Sequence, residues 1–264
     1  MDDSRIDNLY ERLNFELLKV EKWISANCLS LNVSKTVYLL FSGRKKIAGI
    51  PSLYLFNEPI QRNTVTKFLG MMIDDKLNWK EHINYLYGKI SRMVGIIYRT
   101  RDFLTLGALK TIYYSLVYPH LLYGIIFWSG ASKFNFNKIF KVQKKIVRLI
   151  TGSPFRAHTN PLFSRLAMLK LEDIKKLEMC KFIYNNLDEE NFFNFSTRSS
   201  VHSHDTRNRS QLNLPQPRSN LLLNSIFFEG IRVFNDLNSD VKMSCDVQSF
   251  KYKMKRDFLN SYSI

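Results

Sequence analysis

From Trp79 onward the chain carries its apolar residues at three- and four-residue steps, and every apolar run of strand type is spent by about Asp75. That division constrains the fold more than any other feature, because a 3.6-residue period suits one face of a helix and a two-residue period one face of a strand. Residues 79–99 place Ile83, Leu86, Ile90, Val94 and Ile97 on one helical face. A helix over about 105–118 leads into a break at Pro119. Residues 137–150 form the clearest amphipathic stretch. Ile139, Val142, Ile146, Leu149 and Ile150 share one sector, with Lys138, Lys141, Lys144, Lys145 and Arg148 in the opposite one. More helices are predicted over 171–187, 226–237 and 249–259. Ahead of all these, residues 7–25 read as a helix with Leu9, Leu13, Leu17, Val20 and Ile24 on one face, opened by a capping box of Ser4 and Asp7. Strands are expected over 37–41, 53–56 and 66–73, with a basic loop at 42–50. Residues 195–220, rich in Ser, Thr, Asn, Arg and Pro, read as a linker or poorly ordered arm. The fold class is therefore α+β, mainly α, with a small antiparallel β portion near the N-terminus.

The 264 residues suffice for one large domain or two small ones, and 45% hydrophobic content supports a folded chain. A net charge of +16 favours a polyanionic partner, nucleic acid first and a membrane surface second. The charge is unevenly placed, with no Asp or Glu between Asp102 and Glu172 while ten Lys or Arg occur there. A stretch of one sign that long favours an anion-facing surface over an ordinary solvated one. Cys28, Cys180 and Cys245 are scattered and odd in number, which supports neither a disulfide framework nor a zinc site. A reducing intracellular compartment, nuclear or cytoplasmic, fits best, and the acidic start MDDSRID is no signal peptide. Residues 111–128 lack formal charge but contain Pro119 and His120 mid-way, so a buried pair of helices is the better reading than a membrane span.

Two blocks join a turn-capable polar knot to a strand-like apolar run: LSLNVSKTVYLLF at 29–41 and TKFLGMMIDDKL at 66–77. Together they resemble the last two palm motifs of the reverse transcriptases of non-LTR, jockey-like retrotransposons. The resemblance continues through ALKTIYYSLVYPHLLYGIIFWS, similar to the family's thumb, then QKKIVRLITG, PLF and LAMLKLEDI. TRNRSQLNLPQPRS and EGIRVFNDLNSDVK are similar to its tail, although Phe234-Asn235 and Leu237-Asn238 stand where the family has Trp-Asn and Leu-Pro. The resemblance covers nearly the whole chain. It implies a palm edge over 1–78, a helical thumb over 79–190 and a linker with a helical tail over 191–264.

For individual residues the resemblance implies that Asn32 and Lys35 belong to a palm segment whose lysine lies near the triphosphate, where its ammonium could protonate leaving pyrophosphate. The plainer reading is that Asn32 caps a turn and Lys35 is exposed. Phe68, Leu69 and Gly70 would lie in the strand pair that grips the primer end. Taken alone, that tripeptide reads as a buried strand with a bulge.

A polymerase of this family holds two metal ions on aspartates, which would stand well upstream of Leu29, where this chain has 28 residues. Asp2-Asp3 lacks a preceding strand, and Asp74-Asp75 closes one ahead of a turn, so both pairs read as solvated turn carboxylates. His120, His158, His202 and His204 have no carboxylate or cysteine at ligand spacing. No catalytic residue and no metal site is therefore assigned, and Mg2+ is expected only for a complete parent polymerase. The expected function is that of a reverse-transcriptase fragment which, by itself, binds the backbone of RNA or an RNA–DNA duplex through Lys138, Lys141, Lys144, Lys145 and Arg148. The remaining polymerase portion is a further expected partner. The alternatives are a non-enzymatic basic nucleic-acid-binding protein derived from a retroelement and a membrane-associated helical protein.

Overall fold

Helix α1 (Ile6–Ala26) turns Tyr10 and Ile24 fully inward in the computed structural model, which describes residues 6–42, 50–187, 193, 195–201 and 210–263. The expected inward line is rotated: Leu9, Leu13 and Leu17 are half-buried and Val20 is exposed. Tyr10 instead joins Leu53, Leu55 and Ile60 in a small core, with Ile6, Leu13, Leu17, Tyr38, Leu40 and Ile50 packed against it. Its hydroxyl donates to that of Tyr38 at 3.1 Å. The capping box falls on Ser4, and most of the basic loop on residues 43–49, outside the described residues.

The strands are short: β1 (Val37–Tyr38), β2 (Tyr54–Leu55), β3 (Glu58–Pro59), β4 (Gln61–Arg62), β5 (Val65–Phe68) and β6 (Met71–Asp74). β2 and β3 form one antiparallel hairpin and β5 and β6 another, while β1 pairs in parallel with β4. The run expected as a single strand over 66–73 is thus folded back on itself. Both hairpins turn on two residues with positive φ, Phe56 (51°) with Asn57 (62°) and Leu69 (44°) with Gly70 (85°), the type I′ geometry that matches strand twist. Side chains of α1 close the free edge of β2. Asn14 accepts from Tyr54 N–H at 3.0 Å and donates to the Ser52 carbonyl at 3.2 Å, and Glu21 accepts from Phe56 N–H at 2.5 Å. An edge satisfied in this way offers little to another strand.

The chain divides into two units, Met1–Glu81 and His82–Ile264. Most of α2 (Lys80–Thr100) belongs to the second, and it buries Ile83, Leu86, Ile90, Val94 and Ile97, the five residues its spacing singles out. Helix α3 (Leu106–Ile112) then continues through a wide turn, Tyr113–Val117, into α4 (Tyr118–Leu122). In the wide turn Tyr118 N–H bonds to the carbonyl of Tyr113, five residues back. Pro119 follows in the first turn of α4, so it does not break the chain where expected. The reversal comes later, at Gly124 (φ 63°), before α5 (Ile125–Trp128). Residues 111–128 are therefore several short pieces, and no helix among the described residues is long and apolar enough to cross a membrane.

The remaining helices are α6 (Lys133–Thr151), α7 (Asn160–Leu166), α8 (Leu171–Asn185), α9 (Arg198–Val201), α10 (Asn220–Leu223), α11 (Ile231–Asn235), α12 (Ser239–Lys242) and α13 (Val247–Asn260). A second wide turn, Ile226–Gly230, precedes α11. α8 is the hub. It buries Leu171, Ile174, Leu177, Met179, Cys180 and Ile183, with α4, α5, α11, α13 and the second wide turn packed around it. The turn comes so close that a Cβ on Gly230 would lie 2.9 Å from Ile226 and 3.2 Å from Ile183. The C-terminal end is tied to the same hub: Tyr262 donates its hydroxyl to Asp173 and accepts from Lys170 N–H. The described parts of 195–220 are anchored rather than loose. Phe195 and Leu212 are buried, and Arg198 N–H and Asn213 N–H bond to Gln211 O at 2.9 Å and Ser196 O at 2.8 Å.

Candidate nucleic-acid interface

α6 starts early enough to have its own caps. Ser132 accepts from Asn135 N–H at 3.4 Å, and Gly152 (φ 65°) closes the far end. Its inward side is wider than one sector: Phe136, Phe140, Gln143 and Val147 are buried along with Ile139, Val142, Ile146 and Ile150, and Leu149 is half-buried. Gln143 is the polar member of that set, and its amide is fully used. Nε2 donates to the Tyr113 hydroxyl and to Leu169 O at 3.0 Å each, and Oε1 accepts from Leu171 N–H at 2.8 Å. This one side chain joins α6 to the first wide turn and to the start of α8, which sets the rotation of α6 and so the direction of its cations.

The five cations of the outer side are not equivalent. Lys138 donates to Asn84 Oδ1 at 2.9 Å and lies 4.4 Å from the Tyr87 ring centre, both on α2. Arg148 donates through Nε to Ala157 O at 2.9 Å. Lys144 lies over the Phe140 ring at 4.1 Å. Lys141 and Lys145 are the exposed pair, one helical turn and about 6 Å of rise apart. Tyr87, an exposed ring beside Lys138, is a surface feature no sequence pattern singled out; it stands at the edge of the buried stripe of α2, next to Ile83 and Ile90 on the helical wheel.

In the first unit, the β5–β6 turn exposes Phe68 and Leu69, at 58% and 71% of their full surfaces. The tripeptide is therefore a hairpin tip, not a buried bulge. Asn32 caps the short turn Val33–Lys35: Oδ1 accepts from Lys35 N–H at 3.1 Å and from the Ser34 hydroxyl at 2.7 Å. Lys35 is exposed. The local geometry is thus that of the plainer reading.

Asp74 is buried rather than solvated. Oδ1 accepts from Lys76 and Asn78 N–H at 3.1 Å each, and Oδ2 from Trp79 N–H at 2.9 Å. With both oxygens committed to three backbone donors, Asp74 shapes the turn into α2 and does not fit a metal-ligand role. Among the described residues no group of three His, Cys, Asp or Glu could hold a metal ion. His82, absent from the sequence reasoning, is 1% exposed, with the Tyr85 and Trp128 rings each centred 6.3 Å away. Burial brings its pKa down to about 4. His120 is also lowered, by burial first and then by Lys89. His202 and His204 lie outside the described residues.

No protein-family profile and no solved structure matches the chain. It is 30% identical over 157 residues to the RNA-directed DNA polymerase from mobile element jockey of Drosophila melanogaster, covering 58% of this chain and 17% of that protein. It is 27% identical over 172 residues to the jockey polymerase of Drosophila funebris, covering 64% and 18%. A probable RNA-directed DNA polymerase from transposon X-element of Drosophila melanogaster is 24% identical over 158 residues, covering 59% and 17%. The matched stretch spans under a fifth of the length of each of these relatives.

Proposed function

We propose that this chain, a relative of the RNA-directed DNA polymerases of jockey-like non-LTR retrotransposons, grips the sugar–phosphate backbone of RNA or of an RNA–DNA duplex through the outer face of α6. The observation that carries the reading is the exposed Lys141–Lys145 pair on a helix whose rotation is held by Gln143, inside a stretch of 69 residues without an acid. Contacts of this kind position a duplex without reading its sequence. In this reading residues 1–78 are a palm edge, 79–190 a thumb and 191–264 a tail, and Phe68 and Leu69 at the β5–β6 tip approach the primer end. Asn32 and Lys35 keep the form of a palm motif without its chemistry. Binding, not polymerisation, is the activity proposed for these 264 residues, and no step of it runs through a metal ion. The remaining polymerase portion, an intracellular setting and Mg2+ for the complete enzyme belong to the same proposal.

The test is binding of an RNA–DNA primer–template across a salt series. Affinity falls steeply with salt, and the double substitution K141E/K145E flattens the log–log slope by about two units, about one per lost phosphate contact. The chain alone does not extend the primer. Equal affinity at low and high salt, or an unchanged slope in the variant, overturns the assignment.

A further inference from the structure

Around the N-terminal end of α6 lies a cleft of about 570 Å³, within the size range of small-molecule sites. Its walls come from the turn between α5 and α6, the first turns of α8, the end of α10 and the second wide turn with α11. Lys133, Lys175, Lys176 and Arg232 line it against Glu172 and Glu229. Lys175 and Glu229 are paired at 2.6 Å, and among the described residues the only ion pair of Lys176 is with the distant carboxylate of Asp173, at 3.9 Å. Lys133 and Arg232 make no ion pair among the described residues, so the cleft keeps an excess of positive charge. α6 adds the positive end of its dipole.

A second observation is independent of the charges. Ser129 lines the same cleft and is 3% exposed, yet its hydroxyl has no hydrogen-bond partner among the described residues. A buried hydroxyl left in that state is a donor and acceptor awaiting a polar ligand. Phe136, Leu223 and Phe228 supply apolar wall beside it, and Asn224 adds an amide. Cations, an unused hydroxyl and aromatic rings within one cleft suit a ligand with an anionic end and a flat, hydrogen-bonding body.

We infer that this cleft binds a nucleoside phosphate, with the phosphate held by Ser129, Lys133 and Arg232 and the base lodged against Phe136 and Phe228. The site is separate from the outer cations of α6 and does not depend on their function. The nucleoside phosphate is either a free nucleotide or the phosphorylated end of a strand.

Calorimetric titration of the whole chain with AMP, with adenosine and with inorganic phosphate tests the inference, at high salt where backbone binding is weak. AMP binds at least about tenfold tighter than either fragment, and Ser129→Ala and Arg232→Glu each weaken AMP by about tenfold. Ser129→Ala does so while the melting temperature holds or rises, since the hydroxyl satisfies nothing in the unliganded protein. Displacement of AMP by a 5′-phosphorylated oligonucleotide but not by its 5′-hydroxyl twin identifies the strand end; displacement by neither identifies the free nucleotide. Adenosine binding as tightly as AMP, or AMP binding unaltered in both variants, overturns the inference.

Discussion

The side-chain amide of Asn235 pairs with both backbone polar groups of Leu212: Oδ1 accepts its N–H and Nδ2 donates to its carbonyl, each at 3.0 Å. An asparagine at the end of α11 thereby acts as one residue of a strand and holds the returning arm on the second unit. Leu212, pinned in this way, sits buried. Replacing Asn235 with Ala leaves both groups of Leu212 to find new partners and costs about 2 kcal/mol. Asn235→Asp keeps the acceptor but sets a carboxylate against a carbonyl, so it is at least as damaging. Urea unfolding of the two variants checks the ranking, and a loss confined to Ala refutes the two-bond account.

Acid should weaken the second unit through His82. In the unfolded chain this imidazole takes its proton near pH 6.5, whereas folding holds it off to about 4. Between those values the unfolded state binds more protons, so stability is full above about pH 6.5 and declines as pH falls toward 4. The steepest decline from this one group is about 1.4 kcal/mol per pH unit. Urea unfolding free energies from about pH 7 to about pH 5 should slope down in the native chain and less so in His82→Gln. Parallel slopes would remove His82 as the cause.

Leu69 is held at φ 44°, a left-handed conformation that asparagine tolerates and leucine resists. Leu69→Asn should raise stability by about 0.5–1 kcal/mol if the turn alone matters. The same substitution removes an exposed apolar side chain from the hairpin tip. A variant that melts higher and binds primer–template more weakly would mark Leu69 as kept for contact rather than for folding. Lower melting with unchanged binding would point the other way.

Asp74→Ala strips three backbone N–H groups of their acceptor at the entrance to α2. The expected loss is about 2 kcal/mol, with Asp74→Asn intermediate because one acceptor oxygen remains. Amide exchange at Lys76, Asn78 and Trp79 is the direct readout, and protection unchanged in the Ala variant defeats the prediction.

Local repetition made the helices legible. All five residues singled out on α2 are buried, as are Ile139, Val142, Ile146 and Ile150 on α6, because each repeats at the helical period over several turns. The break expected at Pro119 does not occur there because the proline falls in the first turn of α4, directly after a wide turn, where a missing N–H costs little. The hairpin inside 66–73 escaped because Leu69 is an unusual first residue for a type I′ turn. The arm around Leu212 reads as a linker by composition, and what anchors it lies 23 residues away. At the candidate interface the five cations were legible by type and position. Which of them are already engaged was not, since Asn84, Tyr87 and Ala157 come to them from other segments.

The wide turn at Tyr113–Val117 also works as a length gauge. Tyr113, Val117 and Leu121 are all buried at steps of four, a spacing that drifts sideways on an ordinary helix but stays in line when one turn holds an extra residue. Winding the same residues into a regular helix, with none removed, would swing everything after them by about 100°. Leu121 would leave the core, and the Tyr113 hydroxyl would no longer meet Gln143. The direction in which α6 aims its charge is thus counted out, residue by residue, in a segment that carries no charge itself.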